Sequence, residues 1–408
     1  MQKYAVFNLT FTQTATMAEH KLQIDRIDLY KLLIPLKEPF IISLGAEYNA
    51  ESVIVVIKTK EGITGFGECS PYAAINGEIV DTCIIVGKQI ASVLKNENPL
   101  DIKKCIRTMD KLIYGNTSIK SAFDMALLDI ASQHADLPLY KYLRKLRRDL
   151  LQKDLKKFKD LDGDEIKKEI YTDYTVSIGG VDKMAADALR YKDQGFPIIK
   201  VKVGGEPRTD IERVKAVRNA IGKDTALRID ANQGWKVKGA IEVLNAVEDC
   251  NIQFCEEPIG RWNYMKLRKV RNNSPIPIMA DETCGDEHDA ERLVALGACD
   301  MFNIKLGKCG GLYNALKIVN IAAADAMPLQ IGGFTESKLG VTAEAHLAYT
   351  SDNIMYYDFD TPLMFTEDPI SGGIIYEKNG LVVVPETPGL GAKIDEGRLI
   401  KMERVSVY

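Results

Sequence analysis

Thiolate chemistry, histidine metal ligands, membrane anchoring and nucleic-acid binding all find little support in this chain. Its eight cysteines are scattered and form no C-x-x-C pair. Its four histidines, His20, His134, His288 and His346, make neither H-E-x-x-H nor a Cys/His zinc spacing, which argues against zinc. Scattered cysteines in apolar stretches read as buried free thiols, as in a reducing cytoplasm. No apolar run approaches the roughly 20 residues a membrane helix needs. Lys and Arg number 53 against 57 Asp and Glu, a net charge of −4, so no basic field exists for nucleic acid or an anionic membrane. Gly204-Gly205 and Gly310-Gly311 are not part of a G-x-G-x-x-G following a strand, and read as turns or an anion-binding nest rather than a nucleotide site. Met1 to Thr16 lack a positive n-region and a long apolar core, so they do not read as a signal peptide. Met17 is a second candidate start, and residues 1–20 are expected to be a loose extension.

What is present is an ordinary globular composition, 46% hydrophobic and 27% charged, over 408 residues. That length suits one large barrel with an appendage. Residues 21–140 open with strand signals (Val53–Ile57 and Gly62–Gly67 around a Lys60-Glu61-Gly62 turn) and end with helical periodicity at Ile79–Val93 and Ser118–Gln133. This order predicts a segregated α+β domain. Residues 141–170 are dense in Lys, Arg and Asp and are expected to form a solvated helical connector. From 171 to 370, eight short β-rich runs, beginning at Tyr174 and ending at Asp358, alternate with helical stretches. Such alternation implies βαβ units and a parallel sheet, and eight strands favour a closed barrel. Residues 371–408 add the strand signal Leu381–Val384 and are expected to return to the first domain.

The chemistry lies at the carboxyl ends of those strands. A barrel strand is buried on both faces and should be apolar throughout. Here most strands finish in charge: Lys200-Val-Lys202, Asp230-Ala-Asn232, Glu256-Glu257-Pro258, Asp281-Glu282, Lys305, and Asp358-Phe-Asp360. The landmarks Lys202, Asp230, Glu256, Asp281, Lys305, Gly333 and Asp358 fall 24 to 28 residues apart, about one strand–loop–helix unit. Barrel active sites sit at this end. A single strand-end Asp or Lys is usually a helix cap or a solvated residue. Three converging carboxylates, Asp230, Glu256 and Asp281, would repel unless a cation joins them, and hard oxygen ligands suit Mg²⁺. Strands 2 and 6 lie opposite each other in an eight-stranded barrel, so Lys202 and Lys305 would flank a metal-bound substrate. Lys200 shares the face of Lys202, and two such ammonium groups are expected to lower one another's pKa toward that of a working base. Strand 8 lies opposite strand 4, so Asp358 and Asp360 would meet the part of the substrate farthest from the metal, and their charge asks for a cation.

Taken in order, these K-x-K, D-x-N, E-E-P, D-E and N-I-K motifs, with the capping loop Gly67-Glu68-Cys69-Ser70-Pro71, resemble the enolase superfamily, and within it the muconate-lactonizing-enzyme subgroup. Asp358-Phe-Asp360-Thr361-Pro362 is similar to the D-x-D of its dipeptide epimerases. The resemblance implies a TIM-like (β/α)₇β barrel with an N-terminal α+β capping domain completed by the C-terminal segment. It implies Asp230, Glu256 and Asp281 as Mg²⁺ ligands, Lys202 and Lys305 as acid/base lysines, and Lys200 on the substrate carboxylate. Thr175, Asn232, Gly333 and the capping-loop Ser43 would contact substrate, and Asp358 and Asp360 would clasp its α-ammonium. The activity implied is 1,1-proton transfer at the Cα of the C-terminal residue of an L-Ala-L-Xaa dipeptide, such as Ala-Glu, through an ene-diolate. Homo-oligomerisation is compatible with it. The rival readings are N-succinylamino-acid racemase, o-succinylbenzoate synthase or muconate cycloisomerase, whose substrates carry no distal ammonium, and, more remotely, a non-catalytic metabolite-binding barrel, which would need neither lysine.

Overall fold

The computed structural model describes residues 22–151 and 168–407. The expected loose extension, and residues 152–167 of the expected connector, lie outside the described residues.

Strands β1 (Ile24–Ile42), β2 (Gly45–Thr59) and β3 (Thr64–Cys69) form an antiparallel sheet by consecutive hairpins, Ile27 opposite Ile57 and Val56 opposite Phe66. Its inner face is covered by the helices Val80–Leu94 and Thr117–His134, against which the helix Ile102–Leu112 packs. The helix Thr117–His134 touches the sheet closely because β3 carries glycine there. A Cβ on Gly65 or Gly67 would stand 2.1 Å from the Ala126 carbonyl oxygen or 1.9 Å from that of Ala122, so neither tolerates a side chain.

After the two-residue strand β4 (Ile170–Tyr171) come β5 (Tyr174–Val176), β6 (Ile198–Lys202), β7 (Ala226–Asp230), β8 (Ile252–Glu256), β9 (Ile278–Ala280), β10 (Met301–Ile304), β11 (Leu329–Gly332) and β12 (Ile354–Asp358). They pair in parallel in chain order. The two ends of this sheet meet: Asp173 N–H donates to the Tyr357 carbonyl at 3.4 Å and Phe359 N–H to Thr172 Oγ1 at 2.9 Å. Helices cross from each strand to the next, but β12 is followed only by the turn Thr361–Met364, so the barrel is (β/α)₇β. Phe254, Met279 and Met301, with Tyr356 against them, fill its lower interior. This apolar plug leaves the upper ends of the strands to carry the charge.

The remaining strands are β13 (Ile370–Gly372), β14 (Ile375–Tyr376), β15 (Leu381–Val383), β16 (Ala392–Ile394) and β17 (Arg404–Val407). The last pairs antiparallel with β1, so the C-terminal segment completes the first sheet. All eight cysteines are buried free thiols. No helix among the described residues is long and apolar enough to cross a membrane.

The charged connector departs from expectation. Its described residues are 141–151, which continue the helix Leu139–Leu151, and 168–170, and the helix is not solvated all round: Arg144 and Arg147 are 1% and 0% exposed. Arg147 Nε donates to Asn320 Oδ1 at 2.8 Å, and Arg144 Nη1 to the Tyr349 carbonyl at 3.4 Å. Charge density alone does not reveal this, because a guanidinium becomes buriable once carbonyl and amide oxygens take its donors.

Candidate active site

The strand-end residues converge as the barrel requires. Asp230, Glu256, Asp281 and Lys200 are fully buried, and Lys202 and Lys305 are each 5% exposed. Each carboxylate meets ammonium groups. Lys200 Nζ lies 2.7 Å from Asp358 Oδ2, 2.8 Å from Glu256 Oε2 and 3.3 Å from Asp230 Oδ2. Lys202 Nζ donates to Asp230 Oδ2 at 2.6 Å. Lys308 Nζ donates to Asp281 Oδ1 at 2.6 Å. Lys305 Nζ stands 2.9 Å from Asp281 Oδ2, without hydrogen-bond geometry.

These contacts correct two expectations. Lys200 is not lowered toward a working base. Burial pulls Lys200 down, but Asp358, Glu256 and Asp230 outweigh it and hold it well above the usual lysine range. Lys305 is raised in the same way, against its burial, chiefly by Asp281 and Glu256. A carboxylate in contact outweighs a second ammonium farther off. Nor is Asp358 remote from the strand-end carboxylates: a single Lys200 ammonium spans Asp358, Glu256 and Asp230. In a barrel this narrow, one lysine reaches across the interior.

Neighbours that sequence reasoning passed over hold the carboxylates in place. Glu257, the second acid of E-E-P, turns away from the site with φ +35° and accepts from Asp281 N–H at 2.7 Å and Thr283 N–H at 3.1 Å. It thereby fixes the loop that presents Asp281. Asn303 Nδ2 and Gln330 Nε2 donate to the two oxygens of Glu256 at 2.7 and 3.2 Å. Their inward side chains, polar in otherwise apolar strands, were the available signal. Asn232 and Gln233 also have positive φ, so backbone strain gathers at the ends of β7 and β8.

The substrate-side candidates are brought together too. Phe40, Ile42, Tyr72, Ile75, Phe334 and Thr335 surround a cavity that Thr175, Lys202, Asn232, Lys305, Gly333, Asp358 and Asp360 also line. Lys202 Nζ lies 5.6 Å from the Phe40 ring and Lys305 Nζ 5.2 Å from the Phe334 ring, one aromatic over each lysine. Ser43 does not line the cavity; its Oγ donates to the Asn232 carbonyl at 2.6 Å and so ties the capping arm to the barrel. Lys200 does not line it either, being spent on carboxylates. A side chain at Gly333 would collide with Glu336 Oε2 at 2.5 Å. The space is about 40 Å³, smaller than a dipeptide. A groove of about 590 Å³ alongside shares Phe40 and Thr175 but none of the acidic or lysine groups named above. The Gly204-Gly205 turn is indeed an anion nest, but one filled from within: both amides donate to Asp210 Oδ2, at 2.9 and 2.7 Å.

Two acidic sets compete as cation sites. Asp230, Glu256 and Asp281 are hard oxygen donors on adjacent strand ends, surrounded by buried oxygens that lack a hydrogen-bond partner, on Asn232, Asp281, Glu282 and Asn303. That donor set fits Mg²⁺. Asp173, Asp358 and Asp360 have oxygens within 4.8 Å of one another. Asp173 already holds Arg228, however, and Asp358 holds Lys200. The first set is paired as well, with Lys200, Lys202, Lys305 and Lys308, so pairing does not separate the two; the second set differs in that Asp358 and Asp360 line the cavity, where an organic cation of the substrate can meet them.

Comparison with known proteins agrees with the geometry. Residues 27–144 match the family described as Mandelate racemase / muconate lactonizing enzyme, N-terminal domain, and residues 183–398 match Enolase C-terminal domain-like. A D-Ala-D/L-Ala epimerase of Cytophaga hutchinsonii is 50% identical over 94% of this chain and 99% of its own length. The crystal structure of a dipeptide epimerase from that organism, complexed with Mg and D-Ala-L-Val, superposes with a TM-score of 0.89 at 50% identity, covering 95% of this chain and 100% of the other. An L-Ala-D/L-Glu epimerase of Clostridium acetobutylicum is 36% identical over 88% of this chain and 96% of its own. The chain belongs to the mandelate racemase / muconate lactonizing enzyme family of the enolase superfamily, and within it is most like the dipeptide epimerases.

Proposed function

We propose that the protein is a Mg²⁺-dependent dipeptide epimerase that inverts the Cα of the C-terminal residue. The observation that carries this reading is the shared cavity: Lys202 of β6 and Lys305, just after β10, reach it from strands four apart, together with Asp358 and Asp360. Asp230, Glu256 and Asp281 would hold the metal. Bound there, Mg²⁺ would supply the positive charge that makes a proton beside a carboxylate removable. With the charges of Asp281 and Glu256, which hold Lys305 protonated, offset by Mg²⁺, one lysine in its neutral form takes the Cα proton from one face and the other returns a proton to the opposite face. Asp358 and Asp360 hold the α-ammonium, which N-acylated amino acids and muconate-type substrates lack.

The second side chain of the dipeptide is neutral on this reading. Its walls are Phe40, Ile42, Ile75 and Phe334, with Tyr72, whose burial, helped by the hydrogen-bonded Glu47, pushes its hydroxyl up to about 12. The nearby cations are engaged elsewhere: Lys308 on Asp281, Lys338 on Asp368 at 2.6 Å, and Arg261 on the Ile75 carbonyl. The D-Ala-D/L-Ala activity of the Cytophaga relative supports a small neutral residue and makes D-Ala a candidate first residue. The kcat/KM for L-Ala-L-Ala and D-Ala-L-Ala should exceed that for L-Ala-L-Glu. A preference for Glu above about a hundred-fold, worth roughly 2.7 kcal/mol, would show that a cation reads the side chain. No epimerisation of any dipeptide would reject the activity itself.

The acid pair also sets a pH dependence. Burial, with Asp358 next to it, raises Asp360 to about 7. As pH falls through 7 the free enzyme protonates there and the clasp loses charge. As pH rises past about 7.7–8.0 the dipeptide's amino group loses its proton. The kcat/KM for a free dipeptide should therefore peak between these limits. Asp360→Asn should flatten the acidic limb, and an acidic limb unchanged in that variant would remove Asp360 from the assignment.

A further inference from the structure

We propose that Asp173, held by Arg228, is a positioning residue for the substrate ammonium, whose negative charge stands behind Asp358 and Asp360 and sets how tightly they hold a cation. The inference rests on the reading of Asp358 and Asp360 given above and extends it to a residue outside the cavity.

Asp173 sits just before β5 and is fully buried. Its Oδ2 accepts from Arg228 Nη1 at 2.7 Å. Its Oδ1 is buried without a hydrogen-bond partner, and the carboxylate shares a 4.8 Å neighbourhood with those of Asp358 and Asp360. Burying an acid there costs free energy unless something requires it. Nothing about the barrel's closure does, since the Asp173 contact across the seam is made by its backbone N–H.

Arg228 makes the arrangement rigid. It is 2% exposed, its Nε donates to Gln253 Oε1 at 2.9 Å, and Nη1 also reaches the Tyr357 carbonyl at 3.1 Å. Its guanidinium lies 5.3 and 5.1 Å from the Phe254 and Tyr356 rings, on top of the apolar plug. Asp173 thus stands on a fixed pedestal rather than adapting to its neighbours.

The charges around the trio do not cancel. Burial and the neighbouring Asp358 push Asp173 well above the usual carboxylate range, and Arg228 works against them and offsets part of its charge. Lys200 contacts Asp358 but is shared with Glu256 and Asp230. Asp360 is held by Thr175, whose backbone N–H donates to it at 2.6 Å and whose side chain also hydrogen-bonds to it. The excess negative charge faces the cavity, where Asp358 and Asp360 are exposed to substrate and Asp173 is not. A single ammonium would balance it. Asp173 therefore acts on the substrate through the two acids in front of it.

The test is steady-state kinetics on Asp173→Asn with saturating Mg²⁺, using one alanine-containing dipeptide free and N-acetylated. The amide keeps the size of the acid and removes its charge. KM for the free dipeptide should rise about ten-fold or more, the order of effect one buried charge a few ångströms away produces, with kcat nearly unchanged. The preference for free over acetylated peptide should shrink by the same factor, and Asp173→Glu should restore part of it. The double variant Asp173→Asn, Arg228→Gln removes both charges, so it leaves no unpaired guanidinium to unfold the barrel, and should lose preference in the same direction but by a smaller factor, because the opposing guanidinium charge goes with the acid's. A wild-type KM and preference in the folded variants would overturn the proposal, as would a rise in KM equal for free and acetylated peptide, which marks a merely structural role. If the wild type itself shows no preference for the free peptide, the ammonium reading fails first. A preference lost in Asp358→Asn but intact in Asp173→Asn overturns the present inference alone.

Discussion

Lys202→Ala and Lys305→Ala should each abolish epimerisation, lowering kcat by about a hundred- to ten-thousand-fold, the range a positioned acid or base contributes. The two variants should not be equivalent. Lys202 and Lys305 come from opposed sides of the barrel and each lies near an aromatic ring, Phe40 for one and Phe334 for the other. Each serves one face of Cα. Removing one leaves the other able to take a proton from its own face, so each variant should retain solvent exchange at Cα with one epimer only, and with opposite choices. Proton NMR of the two epimers in D₂O separates these outcomes. Near wild-type interconversion in either variant would contradict the two-base assignment, and exchange of the same epimer in both would place the lysines on one face.

The second large effect belongs to the acid pair. Asp358→Asn and Asp360→Asn should each lower kcat/KM by roughly ten- to a hundred-fold, because a charge-assisted hydrogen bond to an ammonium is worth about 1.5–3 kcal/mol. Asp358→Asn should be the more damaging of the two. Its carboxylate also holds Lys200 at 2.7 Å, and Lys200 in turn touches Glu256 and Asp230, so its loss disturbs the metal-side acids as well. Asp360 is held by Thr175 and faces the cavity, so its loss should fall on KM. N-acetylating the dipeptide should reproduce most of the Asp360→Asn defect in the wild type. Equal wild-type rates for free and acetylated peptide would point instead to an N-acylamino-acid substrate.

Much of this was legible in the sequence because a parallel barrel makes charge conspicuous. Lys200, Lys202, Asp230, Glu256, Asp281, Lys305 and Asp358 interrupt runs that burial on both faces should keep apolar, and their spacing repeats with the strand–helix unit. The eight barrel strands accordingly fall where the alternation put them. Other features were hidden because their physics is not periodic. The long strand β1 carries Lys31, Pro35, Lys37 and Pro39 among its apolar residues, and its pairing with β17 joins the two ends of the chain. Arg144 and Arg147 look like surface charge until carbonyls from distant helices satisfy them. Pairwise reasoning predicted that Lys200 would depress Lys202; a buried ion network is decided by all its members, and here the carboxylates prevail around Lys200. Asp173 lay one residue before the strand being read and Glu257 stood inside E-E-P without a role, and only the fold shows that one faces the acid pair and the other anchors the Asp281 loop.

The most direct test of the central claim is to incubate the enzyme with Mg²⁺ and L-Ala-L-Ala or D-Ala-L-Ala in D₂O, and to follow the mass and configuration of the peptide together. Two lysines acting from opposite faces predict that each molecule of inverted product carries one deuterium at the Cα of its C-terminal residue, that the first residue stays unlabelled, and that chelating the metal stops the reaction. Inverted product without deuterium, label in the first residue, or full activity after chelation would contradict the account.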